Sequence, residues 1–212
     1  MKTSSETFDK KDFDKKDFEI ISEAEIYKGF TSLKELHLKH RLFLGGWSEP
    51  IRRELVLRRA AAGLLPYDPE RDQVVMIEQF RVGAMENKNG PWVLELVAGI
   101  LEEGEDTQDL IRREAQEEAG LQVNELHGIC EYYVSPGTTD EKITLFCCRV
   151  DSSKAGGIHG LPEEGEDIRV KVLSFDEAME GVRSGLINNA ASIISLQWLA
   201  MNKNVFNGVN KG

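Results

Sequence analysis

Residues 99–121 read GILEEGEDTQDLIRREAQEEAGL. Asp106 or Thr107 can cap a helix start here, because their side-chain oxygens accept backbone N–H groups that have no partner in a first helical turn. From there to Ala119 the segment lacks Gly and Pro and is rich in Ala, Glu, Gln, Arg and Leu, all good helix formers. Gly120 then supplies the usual C-terminal stop. On such a helix Glu114 lies three and four positions from Glu117 and Glu118, so the three carboxylates share one face. Like charges at that spacing repel, and a hard dication such as Mg²⁺, which takes carboxylate oxygens and phosphates together, is the natural compensation. Ile111, Ala115 and Ala119 offer a small apolar face for docking. A solvated acidic helix is the bland reading of EAQEE alone, but it does not explain the fixed glycines, Glu105 and Arg113. An EF-hand fits less well, since its acids alternate around a central Gly.

The rest of the chain bounds the possibilities. With 212 residues and 41% hydrophobic content it is long enough for one core and an appendage. A net charge of -11 disfavours nonspecific nucleic-acid binding, which relies on Lys and Arg displacing counterions from phosphates. It does not disfavour a small anionic substrate, because a bound metal and a few arginines invert the local field. Of three cysteines two are adjacent, Cys147 and Cys148; neighbours in a strand point to opposite faces, so both read as reduced packing residues of a cytoplasmic chain. No apolar run reaches membrane-span length, and the N-terminus is polar, unlike a signal peptide.

Residues 1–18 form a low-complexity lead, read as flexible, with FDKKD at 8–12 and again at 13–17. Residues 19–59 alternate apolar and polar positions in three runs, with Gly45-Gly46 marking a turn, which predicts a small antiparallel β-sheet domain. Residues 60–205 carry denser strand patterns: AAGLLPY, QVVMIEQF, WVLELVA, ICEYYVS, KITLFCCRV and RVKVLSF. Two further helices are expected, one from Asp176 and one across Asn189–Met201. The fold class is therefore α/β, or α+β layered: a mixed sheet sandwiched between helices. Trp92 and Trp198 are assigned to its core. The loop Asp151–Asp167 is long and carries Glu163, Glu164, Glu166 and Asp167; long loops in compact domains tend to be functional or disordered. His159 within it reads as a plain loop residue, since no Cys or His partner has metal spacing.

The spacing Gly99, Glu105, Arg113-Glu114, Glu117-Glu118, Gly120-Leu121 resembles the Nudix box at every fixed position. Beyond it, YKGFTSL, RRELV, LLPYDP, VVMIEQFRVGA, PWVLELVAG, SPGTTDE, GIHGLPEEGEDIRV and NNAASIISLQWL resemble the ADP-ribose pyrophosphatase branch of that family, over roughly Ile20 to Met201. Pro136 lies 15 residues past the box, about where this branch has its proline.

The resemblance implies roles. Glu114 and Glu118 would bind Mg²⁺ (or Mn²⁺ as a substitute), with Glu117 assisting in catalysis and the Ala98 carbonyl and Glu166 completing the metal sites. Arg113 would hold a box glutamate, leaving Gly99, Glu105, Arg113 and Gly120 as the structural frame. Glu164 would activate or orient the attacking water. Arg81 would contact the diphosphate, and Phe30 and Arg53 the adenine or terminal ribose region, though all three also read as ordinary packing or surface residues. The branch forms homodimers through its N-terminal domains. The implied reaction is Mg²⁺-dependent hydrolysis of ADP-ribose to AMP and ribose 5-phosphate. GDP-mannose or another nucleotide sugar is the alternative substrate. A nucleotide-sugar-sensing module without catalysis and an acidic interaction protein are the alternatives in class.

Overall fold

The computed structural model describes residues 13–206, so the first FDKKD copy and much of the lead lie outside the described residues. The chain divides into two compact units, residues 1–58 with 135–140, and residues 59–134 with 141–212.

The first unit is an antiparallel sheet of β1 (Phe18–Lys28), β2 (Ser32–His40) and β3 (Ile51–Leu57), in that order. Gly45 and Gly46, at φ 88° and 83°, make the turn between β2 and β3. Register places Ile20, Leu38 and Ile51 in one row across the three strands. Leu36, Leu55 and Leu57 share that face by alternation. The other face carries charges: Arg52 pairs with Glu35 and, at 3.2 Å, with Glu54, while Lys39 meets Glu19 at 2.8 Å. The hairpin tip Ser135–Asp140 joins this unit, where the Thr138 carbonyl accepts the Val56 N–H and Asp140 Oδ1 accepts the Arg58 N–H, both at 2.8 Å. No described residue of the unit is buried.

The second unit holds the core. Its eight strands are β4 (Ala61–Asp68), β5 (Gln73–Phe80), β6 (Trp92–Glu95), β7 (Val97–Ile100), β8 (His127–Tyr133), β9 (Lys142–Arg149), β10 (Ile158–His159) and β11 (Ile168–Ser174). They run in the order β10-β11-β5-β4-β9-β8, with β6 beside β5 and β7 beside β4. The β4–β9 pair is parallel and the other pairs antiparallel, so the sheet is mixed. Three helices cover it: α1 (Thr107–Ala119), α2 (Phe175–Ser184) and α3 (Ala190–Asn202).

Strand alternation divides the buried side chains between two faces. Ala62, Val75, Ile77, Phe146 and Cys148 pack with Leu110, Ile111 and Ala115 of α1. Leu65, Val74, Met76, Leu145 and Cys147 pack with Phe175 and Ala178 of α2 and Leu196 and Leu199 of α3. The layered α/β sandwich expected from the strand patterns is therefore present, and the neighbouring thiols Cys147 and Cys148 enter different cores. Trp198 is partly buried on the α2–α3 side, but Trp92 is not a core residue. It is 59% exposed, because it opens β6 and stacks edge-to-face on the half-exposed Phe80 of β5, with ring centres 5.7 Å apart. Among the described residues no helix is long and apolar enough to cross a membrane.

Candidate active site

The acidic helix α1 is set by its ends and its apolar stripe. Asp106 is the N-cap, its side chain accepting the Gln108 N–H at 2.8 Å. Gly120 ends the helix at φ 65°, a left-handed conformation that glycine adopts without a Cβ penalty. Leu110, Ile111, Ala115 and Ala119 bury one stripe against the sheet and turn Glu114 and Glu118 toward β7. Glu118 Oε2 accepts the Ala98 N–H at 2.9 Å. Gly99, the next residue, is where the approach is closest. A Cβ there would lie 2.2 Å from Glu114 Oε1 and 2.5 Å from its Cδ, so only a glycine leaves room for that carboxylate.

Arg113 ties the box together. Its guanidinium meets Glu105 Oε1 at 3.3 Å, Glu114 Oε1 at 2.9 Å and Glu117 Oε2 at 3.0 Å. Even so, negative charge is in excess. Burial pushes the Glu114 carboxyl up to about 7; the charges of Glu117 and Glu166 push the same way and Arg113 opposes them. Burial also raises Glu118 to about 8, helped by Glu114 and Glu166 and opposed by the Ala98 N–H and Arg81. Two neighbouring carboxyls whose charged forms are disfavoured in this way are candidates for a functional site, because a cation would relieve them.

The loop after β9 brings Glu166 into the same field. Its base is fixed by Asp68, 1% exposed, which accepts the Ser152 N–H at 2.9 Å, the Ser152 hydroxyl at 2.8 Å and the Arg71 guanidinium at 3.0 Å. Burial alone would raise the Asp68 carboxyl, but those donors outweigh it and hold it near 2. Farther along, Glu166 Oε2 accepts the Leu161 N–H at 3.0 Å. Glu164 closes the short 3₁₀ turn Pro162–Glu164, and its side chain lies outside the described ones. Arg81 follows β5 directly, and its Nε donates to Glu95 Oε2 at 2.6 Å.

Thus Gly99, Glu105, Arg113, Glu114, Glu117, Glu118 and Gly120 form one assembly, with Ala98 hydrogen-bonded into it and Glu166 and Arg81 within its electrostatic reach. Phe30 and Arg53 belong to the first unit, Phe30 81% exposed after β1 and Arg53 on β3. Sequence reasoning passed over Glu95 and Asp68; the signal for Glu95 was a lone charge in the apolar run WVLELVA. Among the described residues no three acidic, imidazole or thiol groups already form a metal cage. Each carboxylate is engaged by Arg113 or a backbone N–H. The donor set is nevertheless chemically that of a hard divalent cation: carboxylate oxygens, with Glu118 buried, Glu114 part-buried, and both short of positive charge.

A model of the NUDIX domain matches residues 57–195. The ADP-ribose pyrophosphatase of Escherichia coli (strain K12) is 49% identical over 195 residues, covering 92% of this chain and 91% of that protein. That of Haemophilus influenzae is 45% identical, covering 87% and 86%. The GDP-mannose pyrophosphatase of Cronobacter sakazakii is 38% identical over 155 residues, covering 71% of this chain and 78% of that protein. A solved ADP compounds hydrolase superposes with a TM-score of 0.64 over 87% of this chain and 95% of its own, at 16% identity, and so shares the fold. The chain belongs to the Nudix family.

Proposed function

We propose that this Nudix hydrolase splits the diphosphate of ADP-ribose with water, giving AMP and ribose 5-phosphate, and that it needs a divalent cation, Mg²⁺ by preference with Mn²⁺ as a substitute. The observation that carries the reading is the under-compensated pair of buried Glu118 and part-buried Glu114, with Arg81 in the field of Glu118, in a chain 49% identical to an ADP-ribose pyrophosphatase.

The residues present fit the cation. Glu114, Glu118 and Glu166, with the Ala98 carbonyl, are the candidate ligands. When bound, a dication neutralises diphosphate oxygens and lowers the pKa of a water toward neutrality. The chain's own contribution is placement. Arg81, held through Nε by Glu95, keeps its two terminal amino groups for phosphate oxygens. Arg113 spaces Glu105, Glu114 and Glu117 and keeps their carboxylates from swinging away. Glu164, on the loop, accepts the proton of the attacking water or orients it, with Glu117 assisting. Such substitution at phosphorus calls for positioning and charge neutralisation more than covalent chemistry.

In the first unit, Phe30 and Arg53 are the proposed contacts to the adenine or terminal ribose. The half-exposed apolar row Ile20, Leu38, Ile51 is the proposed seat for a second copy of the chain, making a homodimer. The domain reading assigns 19–59 to dimerisation and 60–205 to catalysis. Three unpaired thiols suit the cytoplasm.

Product analysis with ADP-ribose, GDP-mannose and UDP-glucose in parallel, with an EDTA control, tests this. AMP and ribose 5-phosphate appearing fastest from ADP-ribose, and abolished by EDTA, is the expected result. Faster cleavage of GDP-mannose would keep the site and overturn the substrate. Nucleotide binding without cleavage would identify a sensing module.

A further inference from the structure

The loop that carries Glu164 and Glu166 is fastened to the far end of α1 through His159, a residue with no assigned role. Three glycines frame this imidazole in left-handed backbone, Gly156, Gly157 and Gly160, at φ 149°, 91° and 96°. Its Nε2 lies 2.8 Å from the Gly156 carbonyl. A carbonyl only accepts, so Nε2 carries the ring proton. The Cε1 edge of the ring faces the helix: a Cβ on Gly120 would sit 3.0 Å from it. The Gly160 N–H reaches the Glu117 carbonyl at 3.4 Å, a second link to the same last turn.

From this anchor the chain goes directly to the acidic side chains. A Cβ on Gly160 would fall 2.7 Å from the Glu166 Cβ, so Gly160 and Glu166 are in direct contact. Residues 161–166 close on themselves, Leu161 N–H to Glu166 Oε2 at 3.0 Å and Glu166 N–H to the Leu161 carbonyl at 3.2 Å. A displacement of His159 is therefore passed to Glu166 with little slack. The other end of the loop is already immobilised by the Asp68–Ser152 bonds. Gly120 thus serves twice, as a helix stop and as a flat seat for the ring.

We infer that His159, seated on Gly120 and bonded to Gly156, is a positioning residue that sets the register of the Glu164–Glu166 turn against Glu114 and Glu118. This rests on the hydrolase reading above. The ring acts through Glu166. A misplacement of such a supporting group changes turnover or metal affinity by roughly ten- to hundredfold.

Steady-state hydrolysis of ADP-ribose and Mn²⁺ binding to nucleotide-free protein, followed by electron paramagnetic resonance, give two independent readouts. His159→Ala is expected to lower kcat by roughly tenfold or more with KM nearly unchanged, and to weaken Mn²⁺ binding. His159→Gln, whose amide N–H can reach the Gly156 carbonyl, is expected to recover most of both. Gly120→Ala, which pushes on the ring from the helix side, is expected to reproduce the loss. The inference is overturned if His159→Ala keeps wild-type kcat and Mn²⁺ affinity. It is equally overturned if Gln and Ala substitutions are impaired alike in step with a loss of thermal stability. Should the wild-type protein itself cleave none of the substrates, the functional reading falls, and the Mn²⁺ titrations still judge the role of His159.

Discussion

Gly99 shows how one missing methyl group sets a carboxylate. Gly99→Ala would drive a Cβ into the Glu114 side chain at 2.2 Å, and the side chain is easier to move than the strand. The expected outcome is a protein that melts within a few degrees of wild type but loses roughly tenfold or more in turnover and Mg²⁺ affinity, read by calorimetry and metal titration. Glu118→Gln separates stability from function more sharply. Glu118 is 3% exposed and its carboxyl is pushed up to about 8, so in metal-free protein at pH 8 its charge is a burden. The amide keeps an oxygen for the Ala98 N–H and removes the charge. The variant should melt higher than metal-free wild type at pH 8 while losing most turnover; a lower melting point would contradict the burial argument. The pH dependence has a definite sign. Glu114 and Glu118 titrate higher in the folded chain, at about 7 and 8, than their ordinary 4.5. Their protonated forms stabilise the fold fully below about 4.5, and that contribution is lost as pH rises through 7 and 8. In EDTA the melting temperature should therefore fall from pH 5.5 to pH 8.5. Added Mg²⁺ should raise it more at pH 8.5 than at 5.5. Melting curves at both pH values, with and without the cation, check this.

At the level of elements, α1 is held by its cap and its stripe together. Asp106→Ala removes the acceptor for the Gln108 N–H and should cost about 1 kcal/mol in denaturant unfolding. It sits at the end of the helix away from Gly120, so kcat should change less than twofold. The helices and strands were readable because each has a local cause: period-two apolar runs, a Ser or Asp cap, a terminal glycine. Ser174 and Glu177 even form a reciprocal capping box at the start of α2. The box residues were readable for the same reason, lying within one helix and its flanks. Trp92 was misjudged because aromatic bulk signals burial only on average, and its place at the first residue of β6 is a tertiary fact. Asp68 and His159 were not readable because the contacts that give them their place, Ser152 for Asp68 and Gly120 for His159, lie far away in the chain, whereas Glu95 left a signal as a lone charge in an apolar run. Nothing local in GGIHG announces that an imidazole will lie on the glycine that ends a helix some forty residues earlier.

Across the whole molecule, burial is very unevenly shared. The first unit has an apolar row and a charged face but no buried residue among those described, whereas the second unit has two cores. A sheet this small draws its stability from its hydrophobic face, and burying that face removes apolar area from water. Leu38→Glu would place a charge in the middle of that row. Sedimentation should find wild type as a dimer at micromolar concentration and the variant shifted toward monomer; a monomeric wild type would remove the dimer from the proposal. The adjacent thiols of β9 have a different use. Cys147 and Cys148 are both 0% exposed, one in the α2–α3 core and the other in the α1 core, and burial pushes the Cys148 thiol up to about 12. Neither is expected to react with an alkylating reagent until its own side of the sheet opens, while exposed Cys130 is expected to react first and serves as the internal standard. The chain therefore contains two stopwatches one peptide bond apart, each timing the departure of a different helical layer. Saturating cation, whose proposed ligands lie on α1, β7 and the Glu166 loop and none on α2 or α3, should slow the Cys148 clock and leave that of Cys147 running at its former rate, unless the two layers open only together.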